Sequence, residues 1–63
     1  MKLFDMVSVL ESDDPSVKKG DVGTVVELWG SDGVEVEFVD PDGRTRCVAT
    51  FQAKQLQPIA ESK

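Results

Sequence analysis

The sequence predicts an all-β domain: five short strands closing into a small barrel, with one 3-10 turn before the last strand. Three observations carry this. Apolar residues recur at strand spacing in short segments. Clusters of Gly, Pro, Asp and Ser break those segments about every 8–12 residues, as in barrels and sandwiches. The 63 residues suffice for one domain with one modest core, because a chain this short buries only roughly 60% of the surface it exposes unfolded.

The first segment, Leu3 to Leu10, carries Val7 and Val9 on one face with Ser8 opposite. It ends at Glu11-Ser12-Asp13-Asp14-Pro15. Pro15 has no N–H to continue a ladder, so residues 11–19 read as a surface loop. Gly20-Asp21-Val22-Gly23 reads as a turn into the second strand, Thr24 to Trp29. Val26 and Leu28 share one face of it, Val25 and Trp29 the other. The first set is the expected core face, but a bulge near Gly23 would reverse the count.

Gly30-Ser31-Asp32-Gly33 is the next turn. Val34-Glu35-Val36-Glu37-Phe38 alternates strictly, so the apolar residues face the core and the glutamates face water. Asp40-Pro41-Asp42-Gly43 has the residue order of a hairpin turn. The fourth strand, Thr45 to Phe51, buries Cys47, Ala49 and Phe51, since the other orientation turns Arg46 and Thr50 inward. Gln52 to Gln55 fits one 3-10 turn. Leu56 to Ile59 is a last strand, with Pro58 marking an edge or end. Residues 60–63 are expected to fray, within a single domain spanning 1–63.

The expected core is Val7, Val9, Val22, Val26, Leu28, Val34, Val36, Phe38, Ala49, Phe51 and Leu56. A long loop after the first strand, tight connections among the next three, and a 3-10 turn before the fifth make an order that resembles the SH3-like barrel.

Composition sets what such a domain can do. At 40% hydrophobic and 30% charged residues it is globular. Twelve acids against seven bases give a net charge of −5. That sign opposes phosphate backbones and anionic membranes. Cys47 is the single cysteine, which excludes an intrachain disulfide and a multi-cysteine metal site. With no leader or spanning stretch either, the expected location is cytoplasmic.

Catalysis lacks its usual actors. There is no histidine and no tyrosine. Cys47 lies mid-strand as an inert thiol. Glu35 and Glu37 sit two apart, as on any solvated strand face. Asp32, Asp40 and Asp42 occur where turns favour aspartate, and the stretch after Asp42 lacks a calcium loop's ligand pattern. No enzyme, catalytic residue, cofactor or metal is expected.

What remains is a docking inventory. Trp29 stands at a strand end beside a glycine turn, either as an exposed interface anchor or as a lid on the barrel. Arg44 and Arg46 are the only arginines. They can pair with Glu37 or Asp40 across the hairpin, or offer forked donors to a partner's carboxylates. Trp29, Asp32, Arg44 and Arg46 form the expected contact surface, with Glu11, Asp13 and Asp14 as a second, acidic patch. The acids favour a basic protein partner. The acidic loop matches in position that of proline-binding SH3 domains, but the aromatic groove of that mode is missing. The low proportion of exposed apolar residues outside Trp29, Val25 and Val39 leans towards a monomer.

Leu3 to Leu10, Lys19-Gly20-Asp21-Val22-Gly23-Thr24-Val25-Val26-Glu27, Val36 to Thr45 and Gln55-Leu56-Gln57-Pro58 together resemble a family of small bacterial proteins known as a domain of unknown function. The resemblance spans nearly the whole chain and implies an SH3-like barrel. It also implies, from neighbouring genes, an antitoxin or immunity-type partner role. No site residues come with it. The Gly20 to Val25 block is also similar to the glycine-rich entry of other bacterial SH3-like barrels, which are structural or docking subunits of larger complexes. A nucleic-acid module of the translation-factor type is the remaining alternative.

Overall fold

A computed structural model describes residues 1–59, so the fraying expected at 60–63 lies outside the described residues. The chain is all-β. Strands β1 (Met6–Val9), β2 (Val22–Trp29), β3 (Gly33–Val39) and β4 (Thr45–Gln52) precede a 3-10 turn at Ala53–Gln55 and strand β5 (Leu56–Pro58). All five join one antiparallel sheet in the order β4-β3-β2-β1-β5.

β1 starts later than the apolar run suggests. Residues 2–5 close a turn instead: the Lys2 N–H donates to Asp5 Oδ2 at 2.9 Å and the Asp5 N–H to the Lys2 carbonyl at 3.1 Å. Phe4 sits in that turn with φ of 72°, its ring out in solvent.

The core is Val7, Val9, Val17, Val25, Val34, Val36, Phe38, Ala49, Phe51 and Leu56. Phe38 and Phe51 meet edge to face, ring centroids 6.1 Å apart. β4 buries Ala49 and Phe51 with Cys47 packed against them, the orientation expected from its polar residues.

Two core expectations fail. In β2 the register passes from Val25↔Val36 to Glu27↔Glu35, so Val26 is an extra residue without a partner. This bulge changes the strand's parity. Before it Gly23 and Val25 point inward, and Val22 is exposed. After it Leu28 pairs with Val34 but stays 39% exposed at the strand end. Val22, Val26 and Leu28 are therefore not core, and Val25 is. The second failure is Val17, which dips from the 11–19 loop into the core at 3% exposure. A turn closed by its N–H on the Asp14 carbonyl, at 3.0 Å, aims it there.

Gly23 is a strand residue, not a turn residue. A Cβ there would lie 2.5 Å from Val36 Cγ1 and 2.8 Å from the Glu37 carbonyl oxygen. The hairpin at 40–43 forms as expected: the Gly43 N–H reaches the Asp40 carbonyl at 2.8 Å, with Gly43 at φ 88°.

β4 and β5 are the edges of the sheet, and they differ. Hydrogen-bonded and non-hydrogen-bonded pairs alternate along an antiparallel ladder. The Ala53 N–H donates to the Asp32 carbonyl at 2.8 Å. Counting from there along the β3–β4 register, Val34–Phe51 and Val36–Ala49 are the bonded pairs. The N–H and C=O groups of Val48 and Thr50 thus point away from β3. On β5 the Ile59 N–H donates to the Met6 carbonyl at 2.9 Å and the Leu10 N–H to the Gln55 carbonyl at 2.8 Å. The backbone polar groups of Leu56 and Pro58 therefore point away from β1. The Leu56 N–H is taken by the Ala53 carbonyl, and Pro58 has none, so among the described residues β5's free edge offers no donor.

Candidate functional site

The register sorts the expected contact residues into two ends of the β3–β4 pair. Gly33↔Gln52 closes one end and Val39↔Thr45 the other. Trp29 and Asp32 belong to the first end, Arg44 and Arg46 to the second. The four do not form one patch.

At the first end Trp29 is 54% exposed. Its indole Nε1–H donates to Glu35 Oε1 at 3.1 Å. The ring is thus oriented on the outer side of the hairpin and does not lid the core. Asp32 is exposed, and its carbonyl ties the tip to the 3-10 turn through the Ala53 N–H. Sequence reading did not connect Glu35 to the indole, because the bulge sets which β3 residue lies near Trp29.

The acidic loop comes to the same end. Asp13, Asp14 and Pro15 form one wall of an open groove of about 390 Å³, and Thr50, Phe51 and Gln55 line the rest. Gln55 joins the walls: its Nε2 donates to the Glu11 carbonyl at 3.4 Å, and its Oε1 accepts from the Gln52 N–H at 2.9 Å. Asp14 Oδ1 accepts from the Ser16 N–H at 2.8 Å, which fixes the loop. Among the described residues no ion pair engages Glu11, Asp13 or Asp14. Thr50, Phe51 and Gln55 were not anticipated as neighbours of this loop, since the groove is assembled from segments far apart in sequence.

The arginines do not pair with Glu37 or Asp40. Arg44 lies 3.6 Å from Asp42 within the turn, both side chains mostly in water. Such a pair contributes little. Arg46 is the extra residue where the register passes from Phe38↔Cys47 to Val39↔Thr45. Its guanidinium lies 5.7 Å from the Phe38 ring centre, and Nη2 donates to Asp21 Oδ2 at 3.1 Å. The Lys18 N–H, with help from Arg46, holds the Asp21 carboxyl below the usual carboxylate range, partly offset by desolvation. The hydrogen bond to Asp21 raises the Arg46 pKa in turn. Arg46 is thus a clasp between β4 and the entry to β2.

Glu35 and Glu37 are half-buried on the outer face of β3. Glu37 Oε2 accepts from Thr45 Oγ1 at 2.6 Å. Among the described residues no three Cys, Asp or Glu side chains gather as a metal site would need. No helix there is long and apolar enough to cross a membrane.

A family model described as Domain of unknown function (DUF4926) matches residues 3–58. Neither a curated protein nor a solved structure gives a match.

Proposed function

We propose that this chain, which belongs to the family Domain of unknown function (DUF4926), is a non-catalytic protein-binding module on an SH3-like barrel. The strand order β4-β3-β2-β1-β5 with a 3-10 turn before β5 supports the barrel reading. The observation that carries the binding reading is Trp29. A tryptophan half in solvent yet held by a hydrogen bond presents a large apolar surface with little conformational freedom left to lose. Glu11, Asp13 and Asp14 beside the groove, and the net charge of −5, suit a basic partner. The specific form of the reading is an acidic cap on a small cationic protein in a bacterial cytoplasm, of the antitoxin or immunity type.

The test is affinity capture with wild type and Trp29→Ala, followed by titration of the captured protein. Micromolar or tighter binding that weakens at least about tenfold in the variant supports the anchor. Equal affinity for both removes Trp29 from the interface. No specific protein captured by either removes the reading.

A further inference from the structure

We infer that the free edge of β4 at Val48 and Thr50 takes up an extended strand of a basic partner by backbone pairing. This rests on the protein-binding reading and names the partner's chemistry at a different place from Trp29.

The backbone carries the first half of the argument. Val48 and Thr50 turn their N–H and C=O groups away from β3, and among the described residues neither finds a partner for them. The open stretch has defined limits. The Gln52 N–H is engaged by Gln55 Oε1, and Arg46 is the bulged residue at the other end. An unpaired edge of this kind is a template for strand addition. Between the bulge at Arg46 and the engaged Gln52 N–H, β4 carries neither proline nor an inward-pointing charge, whereas β5 is blunted.

Charge selects the occupant. Across from Val48 lies Glu37, and across from Thr50 lies Glu35, which itself faces Glu27 on β2. Like charges directly opposite disfavour each other, and among the described residues no ion pair engages these three glutamates. A strand with lysine or arginine opposite Val48 and Thr50 places each cation one small side chain away from a glutamate. Acidic side chains there would add to the repulsion. A second copy fits less well: it brings another −5 chain, no cation at positions 48 and 50, and no donor on its β5 edge.

The test uses two seven-residue peptides, one alternating lysine and valine, the other glutamate and valine, with amide hydrogen exchange read residue by residue. The lysine peptide slows exchange at Val48 and Thr50 by at least about tenfold, the glutamate peptide does not, and Trp29→Ala leaves the effect in place. Thr50→Pro takes away an outward N–H that makes no bond to β3, and in the variant that keeps a folded spectrum the protection at Val48 is lost. Equal protection by both peptides overturns the charge argument. Perturbation at the Trp29 tip and not at Val48 and Thr50 overturns the edge while leaving the protein-binding reading standing. No effect of the lysine peptide overturns the inference. Protection that rises with protein concentration alone assigns the edge to a second copy, and also overturns it.

Discussion

The Trp29 indole donates a hydrogen bond to Glu35 Oε1 at 3.1 Å, across the β2–β3 pair. Glu35 also stands directly opposite Glu27. One carboxylate thus orients the ring and faces a like charge. Glu35→Ala is expected to release the indole and relieve that repulsion together. Fluorescence of the single tryptophan should lose anisotropy, while stability changes by no more than about 0.5 kcal/mol, as for other surface sites. Unchanged anisotropy would show that the hydrogen bond does not hold the ring.

Gly23 is close to irreplaceable on steric grounds. Its missing Cβ leaves room for Val36, the Glu37 carbonyl and Phe38. Gly23→Ala should lower stability by about 1–3 kcal/mol, as overpacking does. Denaturant midpoints at unchanged slope would measure it.

The β2 bulge makes neighbouring valines unequal. Val25 is fully buried, and Val26 is the partnerless, half-buried residue. Val25→Ala should cost about 2 kcal/mol, and Val26→Ala clearly less. The reverse order in chemical denaturation would move the bulge.

Asp21 makes stability depend on pH with a definite sign. Its folded pKa lies below the ordinary value of 3.8, so the unfolded chain binds the proton more readily. The resulting stabilisation is fully present above the unfolded pKa and is lost as pH falls through the folded one. Asp21→Asn should therefore differ from wild type most at neutral pH, and the two should converge in strong acid. Added salt should narrow the difference, because both side chains of the Asp21–Arg46 pair are partly in water. A gap that widens on acidification would contradict this assignment.

Much of the fold was legible because its signals are local. Strict alternation at 34–38 and the turn residues at 40–43 each need only their own neighbours. The orientation of β4 followed from the expense of burying Arg46 and Thr50. β2 was misassigned because Gly23, which shows no side chain, shares the inward face with Val25, and the bulge at Val26 then returns Leu28 to that face at the exposed strand end. Val17 did leave a mark: an isolated apolar residue in a polar loop points to an anchor. Of the candidate site, Trp29 was found by type and position. The groove was not, because Asp13 and Phe51 meet only through tertiary folding. The partners of Arg44 and Arg46 were also missed: Asp42 lies within the turn, and Asp21 is reached only through the bulge at Arg46.

The unequal edges bear on valency. Repeated head-to-tail addition needs two receptive edges on each molecule, so that every arrival leaves a site for the next. Among the described residues β5 supplies no donor, which leaves β4 as the one receptive edge of the described sheet. With β4 occupied, the described sheet has no second such edge from which growth could continue. On the strand-addition proposal, the sheet of the described residues would act as a terminator, capping one strand rather than seeding a filament of its own kind.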